Sequence, residues 1–177
     1  LIIAGVVAGG IRFPSLRLPS MVSDKGTLII KITDAPVRDL KHLNITIDSF
    51  EVHRNDTDEW LSIPIDGGQV SFDLLHLRDK NITKDAAISA VDPGNYTMIR
   101  MHIVEGLQFT NATLDNGDYF EVRVPSEKIK IPVHFEIKAE ETTTIILDIT
   151  ADSAHIASNP DHNLRPVVKP IVTPPKP

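Results

Sequence analysis

Not one cysteine occurs among the 177 residues. Disulfides, thiolate metal centres, cysteine nucleophiles and a lipidated N-terminal cysteine are excluded together. Aromatic side chains amount to only 5%, so any core has to be built from aliphatic groups. Basic residues are scattered: the formal net charge is -6 and no Lys/Arg cluster exceeds a pair. Nucleic acid is thereby disfavoured as a partner, since displacing counterions from phosphates takes a concentrated basic surface. An anionic membrane surface is disfavoured for the same reason. No apolar run approaches the ~20 residues of a membrane-spanning helix. Nucleophile signatures are missing as well: there is no G-x-S-x-G, no Ser-x-x-Lys and no Gly-rich phosphate loop.

What is present is alternation. From residue 27 onward apolar residues recur with period two. They are Leu28, Ile30 and Ile32 in TLIIKIT, Ile99, Met101 and Ile103 in GNYTMIRMHIV, and Phe120, Val122 and Val124 in YFEVRV. The pattern continues with Ile131, Val133, Phe135 and Ile137 in IPVHFEIK and Ile145, Leu147 and Ile149 in TTTIILDIT. Such runs are half-buried strands. In LNITIDSFEVHR the phase changes, from Leu43, Ile45 and Ile47 to Phe50 and Val52. One extra residue near Asp48 or Ser49 predicts a β-bulge, or a corner between sheets, and leaves Asn44 and Thr46 on the outward side. Turns fall at Asp34-Ala-Pro36, Asp66-Gly-Gly68, Asp92-Pro-Gly94 and Asn116-Gly117. Only residues 72–91 have room for a short helix, and the prolines after Val167 and Val168 predict an extended tail over 170–177. The expected fold is an all-β antiparallel sandwich over 26–169, preceded by an arm and linker over 1–25.

N-glycosylation acceptors are over-represented. With eight asparagines and 23 serines plus threonines in the chain, chance predicts about one N-x-S/T triplet. Five are found, at Asn44, Asn55, Asn81, Asn95 and Asn111, each followed two residues later by threonine. A surface or secreted protein bearing N-glycans on solvent-facing strands and turns is the expectation, with no other cofactor.

Several of these segments, taken in order, resemble a known family. GTLIIKITDAP at 26–36, LNITIDSFEVHR, WLSI, FDLL, PGNYTMIRMHI, VPSEKIKI, TTTIILDI and LRPVV are similar to a domain of unknown function found in secreted archaeal and bacterial proteins, several of them lipoproteins. The TDAP, IDSxEVH and PGxYTxIR elements carry the likeness. It implies a secreted β-sandwich related in shape to the transthyretin-like or carboxypeptidase-regulatory folds, within the transthyretin-like or immunoglobulin-like class of sandwiches, and supplies no catalytic residue. The lipoprotein members' attachment cysteine is missing from this chain.

Three histidines on outward phases, His53, His102 and His134, could converge on one face, but no H-x-H or H-E-x-x-H spacing supports a metal site and none is expected. The acidic turns at Asp66 and at Asp115 to Asp118 are explained as well by glycine turns as by calcium. The pairs Asp34 with Asp39 and Glu140 with Glu141 are expected to be solvated. An enzyme is not expected.

The first thirteen residues, LIIAGVVAGGIRF, are too short for a membrane span and too rich in glycine for a helix. Leu1, Ile2, Ile3, Val6, Val7, Ile11 and Phe13 suit a strand buried on both faces, with alanine and glycine where packing is tight. Such an arm either folds back as a first strand of its own sandwich or completes a neighbour's by strand donation. PSLRLPSMVSDK, with its two prolines, serves as the linker. A head-to-tail contact of that kind does not close on itself and propagates. The sequence therefore suggests a glycosylated extracellular filament of identical subunits, such as an archaeal pilus or thread. The alternative is a monomeric cell-surface adhesion module that recognises a carbohydrate, protein or ion.

Overall fold

Where the apolar alternation begins, at Gly26, the chain enters its first strand. The computed structural model describes residues 24–34, 40–80, 82–126, 128–151, 156 and 162–177. Within them run β1 (Gly26–Asp34), β2 (Leu40–Arg54), β3 (Glu59–Ile63), β4 (Val70–Asp73), the helix α1 (Leu74–Lys80), β5 (Lys84–Val91) and β6 (Gly94–Ile103). They are followed by β7 (Asn111–Leu114), β8 (Tyr119–Glu121), β9 (Lys128–Ile137), β10 (Thr142–Thr150) and β11 (Val167–Lys176). The arm over residues 1–13, linker residues 14–23, Asp39 and Asn81 lie outside the described residues.

Two sheets pack face to face, giving the expected all-β sandwich. One has the order β11-β10-β1-β5; the other runs β8-β7-β2-β6-β9, with β3 and β4 pairing to β2. β2 is the spine of the second sheet. Its first half lies between β4 and β7 and its second half between β3 and β6. The anticipated bulge is there: the register against β6 shifts between Ile47 and Ser49. Leu43, Ile45 and Ile47 before the shift and Phe50 and Val52 after it all have 0% exposure. One inserted residue therefore keeps both halves of the strand turned toward one core.

Two expectations need correction, and one is met over part of its range. The sheets are not wholly antiparallel, because β1 and β10 pair in parallel from Thr27↔Thr142 to Asp34↔Ile149; more than a hundred residues separate them, ample for the crossover that parallel pairing needs. The helical stretch within 72–91 is confined to α1, whereas KDAAISAV forms β5 against β1. Pairing with the buried β1 overrides the helix propensity of its alanines. The presumed tail over 170–177 is strand for most of its length, since β11 pairs with β10 as far as Lys176. An edge strand needs donors on one side only, so Pro170, Pro174 and Pro175 are tolerated.

The core is aliphatic, as the low aromatic content requires. Leu28, Ile30 and Ile32 of β1 and Ile145, Leu147 and Ile149 of β10 are buried with Leu43, Ile99, Met101 and Ile131 of the opposite sheet. Helix α1 contributes Leu74, Leu75 and Leu77 to the same cluster. The largest fully buried side chain is Tyr96. Its ring stacks on Phe135 with centroids 5.1 Å apart, and its hydroxyl donates to the Asp92 carbonyl at 2.7 Å. The hydroxyl thus ties β6 back to the turn that precedes it, as a tyrosine corner does. Tyr96→Phe is expected to lower stability by about 1 kcal/mol, the worth of one hydrogen bond. Tyr96→Ala is expected to cost about 3–5 kcal/mol; urea midpoints of the two variants measure the difference.

Candidate functional site

The described sequons separate into two kinds. Asn55, in the turn between β2 and β3, and Asn95, at the start of β6, are both exposed. They are neighbours: the Asn55 amide N–H donates to the Asn95 carbonyl at 2.8 Å. Arg54 grips Asp56 with two hydrogen bonds of 2.7 and 2.9 Å, and the bonded guanidinium holds the Asp56 carboxyl below its ordinary value. The ion pair is therefore present above the usual carboxylate range and is lost only as acid takes the pH down through the lowered value. Burial pushes the Tyr96 hydroxyl up. A shallow cleft of about 410 Å³ between Asn55, Asn95, Thr97 and His134 lies beside the turn.

Asn44 and Asn111 face each other across β2 and β7. The Asn44 amide donates to Asn111 Oδ1 at 2.9 Å, and Asn111 Nδ2 donates to the Leu107 carbonyl at 2.9 Å. Asn111 is only 5% exposed. In this folded arrangement the nitrogen to which a glycan would be joined is spent on a backbone carbonyl, and a sugar has no room there. Thr46, expected outward, is buried at 1%, because residues 104–110 fold over the outer side of β2. Its hydroxyl donates to the Phe109 carbonyl at 2.7 Å, with Ser71 Oγ 2.8 Å away. Of the described sequons, Asn55 and Asn95 are the pair whose amides stand in solvent.

The histidines do not converge. His102 Nδ1 donates to Asp48 Oδ1 at 2.6 Å, anchoring the bulge. His53 Nε2 donates to Asp58 Oδ1 at 2.8 Å, and its Nδ1 lies 2.9 Å from Thr97 Oγ1. His134 is exposed on β9. The series Thr97, His53, Asp58 has the atom order of a hydroxyl-imidazole-carboxylate relay without its setting. The Asp58 side chain is 93% exposed, so water screens the charge that would have to orient the imidazole. Among the described residues no group of three or more His, Cys, Asp or Glu could hold a metal ion. The acidic turns have ordinary turn chemistry: Gly67, Gly68 and Gly117 adopt φ of 76°, 85° and 92°, and Asn116 Oδ1 accepts from the Asp118 amide at 3.0 Å.

Two features escaped sequence reasoning. On the outer face of the second sheet Arg100 lies over the Trp60 ring, 3.3 Å from its centroid, while Glu51 draws Lys128 to 3.0 Å and Arg100 to 3.7 Å. This cation–π stack with its shared carboxylate braces β3, β2, β6 and β9. The other is a groove of about 670 Å³ where the two sheets part, between β5 and the β3–β4 connection, with Ile65, Val70, Ala86 and Ala87 in its walls and Asp66 and Asp85 at its rim. The pair of small side chains in KDAAISAV is its sequence signal, but only the pairing to β1 shows which way they face.

Asn111→Ala is expected to lower stability by about 1–3 kcal/mol, since the Leu107 carbonyl and Asn44 amide lose a buried partner. Asn55→Gln and Asn95→Gln in unglycosylated protein should stay within about 0.5 kcal/mol. Urea unfolding of the three variants side by side makes the comparison.

Compared with known proteins, no curated protein and no solved structure matches the chain. One family model does, over residues 25–166. That span takes in every strand from β1 through β10, and it leaves the apolar arm outside. The chain belongs to the family described as Domain of unknown function (DUF4382).

Proposed function

We propose that this chain is a structural subunit of an extracellular, N-glycosylated filament, polymerised by insertion of residues 1–13 into the sandwich of the neighbouring subunit. One observation carries the reading. Thirteen residues with a single charged side chain, Arg12, precede a family domain that starts at residue 25, and the described core of that domain runs from Leu28 to Leu164. An arm carrying seven large apolar side chains is poorly soluble unless something covers it. Each such side chain gains about 1.5–3 kcal/mol on full burial. A second copy is always at hand, and a contact between an arm and a different surface of the next subunit is heterologous, so it extends without closing. Among the described sequons, Asn55 and Asn95, side by side at one end of the sandwich, are the positions at which glycans would coat such a fibre.

Removing residues 1–13 tests the assembly. The expected outcome is loss of fibres in negative-stain images and a monomer in sedimentation, with the strand-rich circular dichroism retained. Fibres that persist would overturn the reading, and a full-length chain that sediments as a monomer would favour the adhesion module. Glycans are tested by intact mass on protein from its native cells, expected to exceed the polypeptide mass and to fall back toward it in the Asn55→Gln, Asn95→Gln double variant. A mass equal to the bare polypeptide would remove the glycan coat.

A further inference from the structure

We infer that the acceptor for the arm is the edge of β5 that no described strand pairs, together with the groove beside it, and that its occupant is residues 1–13 of a second copy of this chain; the inference rests on the filament reading. Unpaired N–H and C=O groups invite another strand, and proteins blunt them with prolines, lysines or very short strands. Four of the described margins are blunted in these ways. β11 carries Pro170, Pro174 and Pro175. β9 has Pro132 at its middle, with Lys128 and Lys130 before it. β8 is three residues long, and β4 is four. Among the described strands β5 ends its sheet, yet it is eight residues long and has no proline, and after Lys84 and Asp85 it carries no charge.

The faces of β5 fit the arm's composition. Its register against β1 shifts between Ile30 and Lys31, and this bulge places two consecutive alanines, Ala86 and Ala87, on the buried side. Their small side chains leave the groove. On the other face Ile88 is 58% exposed, opposite Ile29. A strand added here would meet apolar surface on both faces. That is what consecutive apolar pairs such as Ile2-Ile3 and Val6-Val7 require, and an ordinary alternating strand does not supply them. Charge agrees too, because the arm's one charged side chain is Arg12 and the rim carries Asp66, whereas Asp85 is already paired with Lys31. Length suffices: thirteen extended residues reach roughly 43 Å against roughly 26 Å for the eight of β5, at about 3.3 Å per residue.

Because the chain has no cysteine, engineered ones report without background. Ile88→Cys would be mixed, in assembling protein, with Ile3→Cys, Val7→Cys or Ile11→Cys, three arm positions chosen so that one register is sampled whichever forms. Under mild oxidation at least one pair is expected to yield a disulfide-linked heterodimer. Ile171→Cys, on the opposite edge and 53% exposed, is expected to yield none. Ile88→Lys should leave monomer melting unchanged and abolish fibres. Cross-linking to Ile171→Cys alone, or no cross-link at Ile88→Cys from any arm position, overturns the acceptor. So does a double variant, with Ile88→Cys and an arm cysteine in one chain, that cross-links only within itself, which would place the arm on its own β5. If the deletion of residues 1–13 still abolishes fibres in those cases, the filament reading stands and only the acceptor falls; fibres surviving the deletion remove both.

Discussion

One inserted residue in β2 holds the second sheet together. A strand of fifteen residues with an uninterrupted two-residue period would twist until one half of it faced away from the first sheet. The shift between Ile47 and Ser49 returns Phe50 and Val52 to the core side after Ile47, so a single strand serves as spine for β3, β4, β6 and β7. The bulge is secured from outside, with His102 bonded to Asp48 and Ser49 Oγ donating to the same carboxylate at 2.8 Å.

The bend has a polar cost, and the sequence meets it with threonine and asparagine. Beyond β6 the chain must cross from one half of β2 to the other, and residues 104–110 do so by folding over Thr46. The backbone bonds that a regular ladder would have made are replaced by side chains. Thr46 donates to the Phe109 carbonyl, Thr110 to the Val104 carbonyl at 2.7 Å, and Asn111 to the Leu107 carbonyl. A buried carbonyl without a partner costs more than a good hydrogen bond returns, so these residues are structural. Two N-x-T triplets, those starting at Asn44 and Asn111, are therefore best understood as parts of this crossing.

That crossing also explains what could be read from sequence. Period-two alternation located β1, β6, β9 and β10, and the phase change in LNITIDSFEVHR located the bulge, because both depend on local geometry repeated along one strand. Partner choice leaves no such local trace. The parallel pairing of β1 with β10, the cover over Thr46 and the strand character of Val167–Lys176 all depend on segments far away in sequence. KDAAISAV has helix-favouring alanines and became a strand because the margin of β1 was available to it. The histidines were placed correctly on outward phases, yet each found its own carboxylate or water. The arm residues from Leu1 to Phe13 were conspicuous for their composition, while the groove at Ala86 and Ala87 was hidden because it exists only between two sheets.

The unequal treatment of the sheet margins follows from the same economy of structure. A sandwich must leave its outer strands open unless it closes into a barrel, and each open strand is a hazard to a chain at high local concentration. Prolines in β11 and β9 remove donors from two margins. Had solubility been the only constraint, a lysine or proline near Ile88 would have done the same for β5 without disturbing the core, since that side chain already stands more than half in water. A margin that is bare between a groove of small residues and an exposed isoleucine is costly for a monomer, and it becomes an asset as soon as a second apolar strand is present to cover it. Under the filament reading, arm and margin are then two halves of one hydrophobic surface, each unfavourable in isolation.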